Sequence, residues 1–181
     1  MKTLGKMAMP LLAAVLALGK AGPAGAEATQ VSASRFLVTA RHELTAPPSR
    51  VYAAIGEIER WWNPAHSYSG QAANLGLARQ AGGCFCERWG SNAVEHARVV
   101  TALEDRMLRL EGALGPLQAL AVNGVLTFAL APKEGGTTLV VTYRVAGSEG
   151  SALQQLAGPV DGVITEQVRR LVAYVETGKP D

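Results

Sequence analysis

The C-terminal part of the chain carries one apolar stripe, and this stripe constrains the fold more than any other feature. Leucine, isoleucine and valine recur there every three or four residues, at Leu153, Leu156, Val160, Ile164, Val168, Leu171 and Val175. This spacing predicts a long amphipathic helix. Gly158-Pro159 predicts an early bend or interruption, and Gly178 and Pro180 predict the end of the helix. Such a helix needs a large apolar surface to cover.

Alternating segments upstream supply that surface. Apolar and polar residues alternate from Arg35 to Leu44, which predicts a half-buried strand. Two short helices are predicted next, at Pro48–Ile55 and Glu57–Trp62, because Pro48 suits a first helical position and Asn63-Pro64 closes the second. Later alternating runs predict strands near 84–89, 93–103, 107–111, 124–131 and 137–146, and a candidate short strand at 67–69. The order β-α-α-β(5–6)-α indicates an α+β domain with an antiparallel sheet.

The first 26 residues have the layout of a secretory signal peptide. Lys2 and Lys6 precede an apolar run from Met7 to Leu18, and Ala24-Gly25-Ala26 offers a cleavage site of small residues. The apolar run is too short to span a bilayer. We therefore expect cleavage near Ala26 and a periplasmic or secreted protein, with residues 27–34 as a polar spacer before the domain.

The charge balance of the mature chain argues against two kinds of partner. The sequence has 17 Lys and Arg and 15 Asp and Glu residues; three of the basic residues and none of the acidic ones precede Glu27, so 17 − 3 = 14 basic residues face 15 acidic ones, a net charge of −1. Without a run of lysine or arginine, the chain lacks the electrostatic footprint of nucleic-acid binding. No stretch after Leu18 is long enough for stable membrane insertion.

Three motifs give the chain a family resemblance. The first strand is followed by APPSRVYAAI at residues 46–55, then by IERWW at 58–62, and GGCFCE at 82–87 opens a later strand. Together with the closing helix, this order resembles the SRPBCC or START-like superfamily. The patterns are typical of the branch that groups heat-shock-protein-ATPase activators of the Aha type with polyketide cyclases and dehydrases.

The resemblance implies a helix-grip fold, in which a curved antiparallel sheet wraps around the long C-terminal helix and leaves a cavity between them. It covers nearly all of the mature chain, so we expect one domain at 35–177 and a short tail at 178–181. Relatives bind sterols, lipids, polyketides, hormones or partner proteins, and only some are enzymes, so the fold does not fix the function. The predicted export argues against a cytosolic chaperone-activator role.

The positions of side chains on the predicted strands and helices indicate which residues would contact a ligand in that fold. His42 shares a strand face with Phe36 and Val38, and His96 alternates with Val94, Arg98 and Val100. Either histidine could orient a ligand or act as a base, or could simply be a hydrogen-bonded or exposed residue of its strand. A strand arginine that faced the cavity would select a carboxylate or phosphate, whereas one on the outer face of a half-exposed sheet would face solvent. The ligand-binding candidates are Phe36, Val38, His42, Trp62, Trp89, Arg98, Tyr143, Leu156 and Ile164, and the catalytic candidates are His42 and His96.

The two cysteines, Cys84 and Cys86, leave three interpretations open. Export favours a disulfide, although the one-residue spacing lies at the limit of disulfide reach within a strand. Two buried thiols could instead pack as small apolar groups. A metal site would need ligands from elsewhere, and no metal-ligand spacing supports one, so we predict neither a metal nor another cofactor.

The sequence favours a binding module over an enzyme. No catalytic motif stands out, so the main expectation is an exported protein that holds a small apolar or amphipathic molecule between sheet and helix. One alternative is an enzyme of the cyclase or dehydratase type that acts on such a molecule. Another is a protein-interaction domain that uses the apolar, loop-like segment 112–120, which could also gate the cavity or fold over the helix end.

Overall fold

The computed structural model describes residues 27–181, and the predicted signal peptide at 1–26 lies outside the described residues. Within that range, eight strands form one antiparallel sheet in the order β1-β2-β8-β7-β6-β5-β4-β3. The strands are β1 Glu27–Ser32, β2 Arg35–Leu44, β3 Leu75–Leu77, β4 Cys84–Trp89, β5 Asn92–Leu103, β6 Met107–Glu111, β7 Asn123–Lys133 and β8 Gly136–Ala146.

Three α-helices accompany the sheet in the described part of the chain. They are α1 Pro48–Gly56, α2 Ile58–Trp61 and α3 Ala157–Thr177. Short 3-10 turns lie at Pro64–His66, Ala72–Asn74, Gly115–Leu120, Glu149–Ser151 and Leu153–Gln155. The 21-residue helix α3 buries Ile164, Val168 and Leu171 against the inner face of the sheet, so its apolar stripe finds the partner that it requires. The predicted α+β fold, with an antiparallel sheet and a long C-terminal helix, is confirmed.

The Gly158-Pro159 pair does not interrupt α3. It lies in the first turn of the helix, which begins at Ala157, and the preceding residues Leu153–Gln155 form a separate 3-10 turn. Backbone N–H groups in a first helical turn have no acceptor within the helix, so proline is tolerated there. The predicted bend therefore becomes the start of the helix.

Two strands arise where the sequence predicted none. Residues 27–34 were expected to form a spacer, but Glu27–Ser32 pairs with β2 as an edge strand. Leu75–Leu77 likewise forms the opposite edge of the sheet, where it pairs with residues 85–87 of β4. An edge strand can be held by backbone hydrogen bonds to one neighbour while both of its faces stay partly exposed, so it needs no alternating apolar pattern. The candidate strand at 67–69 is a bent loop instead.

Candidate functional site

A cavity of about 480 Å³ lies between the sheet and the N-terminal half of α3. Two loop segments complete its wall, one after α2 and one between β6 and β7. The lining is mainly aliphatic and aromatic. It consists of Trp62, Ala65, His66, Ser67, Tyr68, Phe85, His96, Leu114, Gly115, Pro116, Leu117, Tyr143, Leu156, Pro159, Val160, Val163 and Ile164.

The spacing of residues on α3 explains its share of the wall. Leu156, Val160 and Ile164 recur every four residues, which places them on one face of the helix beside the cavity. Further along α3, the same stripe packs directly on the sheet at Val168, Leu171 and Val175. The helix therefore closes the core at one end and leaves space for the cavity at the other.

His96 faces the cavity from β5, at a bulge that changes the alternation of the residues after it. Phe85 of β4 pairs with Ala97, but the next residue, Cys86, pairs with Glu95, so His96 is the extra residue between them. His96 and Ala97 are both buried, although they are consecutive in a strand. A bulge leaves one residue outside the regular alternation and changes which side chains face inward beyond it. Val94 and His96 point inward before the bulge, and Ala97 and Val99 do so after it.

His96 is hydrogen-bonded to a fully buried glutamate. Its Nε2 atom lies 3.1 Å from Oε2 of Glu87, which is completely inaccessible to solvent. The imidazole also packs on the ring of Phe85, with 4.7 Å between the ring centroids. β4 presents Phe85 and Glu87 on its inner face, two residues apart, so adjacent inner positions supply the packing surface and the carboxylate.

The loop after α2 donates two backbone hydrogen bonds to the carboxylate of Glu87. The backbone N–H of Tyr68 donates to Oε2 at 2.9 Å, and that of Ser69 donates to Oε1 at 2.6 Å. Burial raises the pKa of Glu87, but hydrogen bonds from Ser69, Tyr68 and His96 outweigh it, so the net pKa lies below the usual value. Burial lowers the pKa of His96, against the opposing effect of Glu87. The expected state at neutral pH is an ionised Glu87 beside a neutral His96.

Tyr143 fixes the opposite side of the cavity. Its hydroxyl accepts a hydrogen bond from Leu114 N at 2.9 Å and donates to Gly112 O at 3.1 Å, so it anchors the loop that follows β6. Burial raises the pKa of Tyr143 far above its usual value. Gly124 makes room for the hydroxyl, because a Cβ atom at that position would stand 2.5 Å from it.

A second histidine–carboxylate pair lies at the rim of the cavity. Nε2 of His66 is 3.0 Å from Oε2 of Glu166 on α3, and Asn63 donates to the other oxygen of Glu166. Trp62, on the cavity wall, donates from Nε1 to the carbonyl of His66 at 2.9 Å. These contacts tie the loop after α2 to the helix, and both His66 and Glu166 remain partly exposed.

The sequence matches the family model described as "Polyketide cyclase / dehydrase and lipid transport" over residues 35–176. The chain belongs to this family. The resemblance to the SRPBCC superfamily is thus confirmed, and the match runs from the first residue of β2 nearly to the end of α3. No curated protein is significantly similar to this chain in sequence.

Three of the solved structures that share this fold have low sequence identity to this chain. A conserved protein of unknown function, EF2215 from Enterococcus faecalis, has a TM-score of 0.58 at 13% identity and covers 84% of this chain and 78% of its own. The Aha1 dimer from Colwellia psychrerythraea has a TM-score of 0.58 at 16% identity, with coverages of 79% and 98%. CalU16 from Micromonospora echinospora has a TM-score of 0.53 at 13% identity, with coverages of 85% and 84%. These likenesses show the fold alone.

Several of the site residues predicted from the sequence lie in the wall of the cavity. Trp62, His96, Tyr143, Leu156 and Ile164 all line it. Phe36 and Val38 are fully buried in the core and do not line the cavity.

Three other candidates lie away from the cavity. His42 is half-buried in β2 opposite Leu139 of β8, where burial lowers its pKa, and it does not line the cavity. Trp89 ends β4 at the hairpin, paired with Asn92. Arg98 was expected on the face of His96, but it is exposed and pairs with Glu95, because the bulge reverses the alternation between His96 and Arg98. The structure therefore corrects its placement.

Several residues of the site were not nominated from the sequence. Glu87 could have been found, because its alternation with Phe85 already placed it opposite the cysteines on the same strand. Tyr68 and Ser69 could not, because an irregular loop supplies backbone N–H groups and such a contact leaves no sequence pattern. Part of the apolar segment 112–120 lines the cavity, and Leu117 within it is fully buried.

Cys84 and Cys86 form a disulfide, with 5.4 Å between their Cα atoms. The bridge lies next to the bulge, and its two cysteines flank Phe85. Glu95 lies beside it, with Oε2 3.9 Å from Sγ of Cys84. Among the described residues, Cys84, Cys86 and Glu95 form the cluster with metal-ligand spacing. A thiolate is the form that ligates metal, so the bridged cysteines are not available as ligands.

Proposed function

We propose that the protein binds one small apolar or amphipathic molecule in the cavity between the sheet and α3. The observation that carries the proposal is a mainly apolar cavity of about 480 Å³ whose wall includes His96, which is hydrogen-bonded to the buried Glu87. Ligand sites are typically of this size and have apolar walls with a few polar groups that fix orientation. Membership of a family described by polyketide cyclisation and lipid transport supports the same proposal.

Physical chemistry favours an occupied cavity. Empty apolar space forfeits dispersion contacts and lowers stability in proportion to its volume. A ligand that fills the space restores those contacts and removes its own apolar surface from water. The described residues of the loop after α2 and of the segment 112–120 form the border of the cavity, so their movement would admit the ligand.

A second candidate function is catalysis on the bound molecule, of the cyclase or dehydratase type. The specific observation in its favour is the contact between His96 and Glu87 at the cavity wall. A neutral imidazole oriented by a carboxylate can accept a proton from a bound substrate, and proton transfer of this kind is central to cyclisation and dehydration chemistry. His42, which lies outside the cavity lining, has no comparable contact with the cavity.

We also propose that the mature protein acts in the periplasm or outside the cell. The support is the sequence at 1–26, with its two early lysines, its short apolar run and its small-residue cleavage site. In the described part of the chain, no helix is both long enough and apolar enough to cross a membrane. Intact mass measurement of the exported protein tests this proposal, since the predicted product begins at Glu27.

A pair of matched variants tests the binding proposal. Val160 lines the cavity on α3, whereas Val172, equally half-buried on the same helix, does not. We expect Val160→Phe to weaken the binding of the apolar dye Nile red at least tenfold by filling the cavity, and Val172→Phe to leave it within about twofold. Equal binding by both variants, with circular dichroism showing that both are folded, would contradict the proposal.

A further inference from the structure

We infer that the cavity selects an uncharged apolar molecule that carries a hydroxyl group, such as a phenol or an enol, and that this hydroxyl donates a hydrogen bond to Nδ1 of His96. The inference rests on the proposed binding function and names the chemistry of the ligand. It also implies that a carboxylate of the same size is disfavoured. The hydrogen-bond donors and acceptors around Glu87 determine which ligand group His96 can bind.

Glu87 acts only as an acceptor. Two of its hydrogen-bond partners are the backbone N–H groups of Tyr68 and Ser69, one to each carboxylate oxygen, and such groups can only donate. Both oxygens therefore present lone pairs to donors. The carboxylate is fully buried, and an ionised carboxylate is stable in such a place only when its oxygens are satisfied in this way.

This arrangement fixes the tautomer of His96. The third partner of Glu87 is Nε2 of His96, at 3.1 Å from the same oxygen that accepts from Tyr68. Since that oxygen can only accept, Nε2 must carry a hydrogen. In a neutral imidazole the hydrogen resides on one nitrogen, so Nδ1 is left with a lone pair and can only accept.

Among the described residues, Nδ1 of His96 is unpaired, and it is not fully enclosed by protein atoms. Two side-chain polar atoms of the described residues are both fully enclosed and without a partner, Asp161 Oδ1 and Gln167 Nε2. Nδ1 of His96 is not one of them, so it remains accessible. Because His96 lines the cavity, a bound molecule can reach this atom.

The donor groups of the other polar side chains of the wall already have acceptors, and His66 and Tyr68, paired with Glu166 and with the Gly115 carbonyl, lie at the exposed rim. The Tyr143 hydroxyl both accepts from Leu114 and donates to Gly112, and Trp62 Nε1 donates to the His66 carbonyl. The Ser67 hydroxyl donates to the carbonyl of Pro64 at 2.8 Å. The interior of the cavity therefore offers an acceptor at His96, and a ligand hydroxyl is the complementary group.

The electrostatics of the wall disfavour an anion. Among the described residues that line the cavity, none is lysine or arginine. The buried charge behind His96 is the negative charge of Glu87, and Arg98 lies on the outer face with Glu95. A carboxylate ligand would lose its hydration without gaining a cation, which is unfavourable in an apolar cavity.

Three probes of nearly equal size test the inference: 2-naphthol, naphthalene and 2-naphthoate, titrated into the mature protein near neutral pH with binding measured by calorimetry. We expect 2-naphthol to bind about tenfold more tightly than naphthalene, since one added hydrogen bond contributes about that factor, and 2-naphthoate to bind more weakly than either. In His96→Phe the preference for 2-naphthol over naphthalene should disappear.

The outcomes separate the inference from the function on which it rests. If 2-naphthol and naphthalene bind equally to the wild type, or if 2-naphthoate binds most tightly, the cavity binds ligands but the inferred ligand class is wrong. If none of the three binds, the binding function itself is contradicted. Nitrogen-15 NMR of the imidazole gives a second measurement that needs no variant: we expect the hydrogen on Nε2, and a hydrogen on Nδ1 of the neutral ring would overturn the inference.

Discussion

At the scale of single residues, the polar chemistry of the cavity depends on His96 and Glu87. The alternation of His96 with Val94 predicted that they share a strand face, and the structure shows that this face lines the cavity. The alternation of β4 puts Glu87 on the strand face opposite the cysteines, but it shows neither that this face is buried nor which groups Glu87 contacts. The contact between His96 and Glu87 joins two strands and a loop, and a contact of this kind follows from register, which the alternation of one strand does not determine.

The pKa shifts of this pair predict acid sensitivity. The folded-state pKa of His96 lies below its value in the unfolded chain, so its contribution to stability is present above that unfolded value and is lost as the pH falls. The lowered pKa of Glu87 acts in the same direction at lower pH. The ring of Tyr68 also lies near that of His96, with 5.8 Å between the ring centroids.

We therefore expect the free energy of unfolding to decrease from neutral pH toward pH 5, measured by urea denaturation, and 2-naphthol to dissociate as His96 becomes protonated. His42→Gln serves as the control, because burial lowers the pKa of His42 as well. The single variant His42→Gln is then compared with the double variant His42→Gln/His96→Phe. If the stability of both proteins depends equally on pH between neutral pH and pH 5, His96 is not the source of that dependence.

The hydroxyl of Tyr143 gives a second prediction at this scale. Tyr143→Phe removes the partner of Leu114 N and of Gly112 O, and we expect a loss of about 1–3 kcal/mol in the free energy of unfolding. Tyr52→Phe is the matched control, since Tyr52 is also buried and its hydroxyl forms no hydrogen bond among the described residues. Equal losses in urea denaturation for both variants would show that the hydroxyl does not anchor the loop.

At the scale of elements, periodicity predicted most of the fold. The bounds of β2, β4 and β6 agree with the alternating runs, and α3 follows the apolar stripe. The edge strands β1 and β3 could not be predicted, because backbone pairing holds them without an alternating pattern. The inner alternation of β5 was predicted to continue through Arg98, and the extra residue of the bulge made that prediction wrong.

The disulfide restrains the backbone of β4 beside Phe85 and Glu87, the residues that this strand presents on its inner face. Replacing both cysteines, in Cys84→Ser/Cys86→Ser, removes the bridge, and we expect a loss of the order of 1–2 kcal/mol in the free energy of unfolding for so short a loop. We also expect weaker binding of 2-naphthol, because the wall beside His96 loses its brace.

Treatment of the wild type with dithiothreitol should reproduce both effects of the double replacement, as followed by urea denaturation and calorimetry. The double variant treated with dithiothreitol is the control for other effects of the reductant, since it has no disulfide to reduce and its stability and binding should not change. If the reduced wild type, with its two free thiols verified by mass, binds 2-naphthol as tightly as the oxidised protein does, the disulfide has no influence on the cavity.

At the scale of the whole molecule, we propose that the sheet and α3 enclose a site for one small molecule. The family match and the cavity support it, and the resemblance of the sequence already implied such a space. The volume and the lining could not be predicted, because they depend on loops from distant parts of the chain that converge near α3.

Native mass spectrometry tests this claim most directly. The protein is purified after periplasmic expression, and 2-naphthol is added to any sample that carries no bound molecule. The account predicts one non-covalent adduct of a small organic molecule per chain, lost on denaturation and absent in Val160→Phe but retained in Val172→Phe. A bare wild-type protein that takes up no 2-naphthol, or an adduct retained equally by both variants, would contradict it.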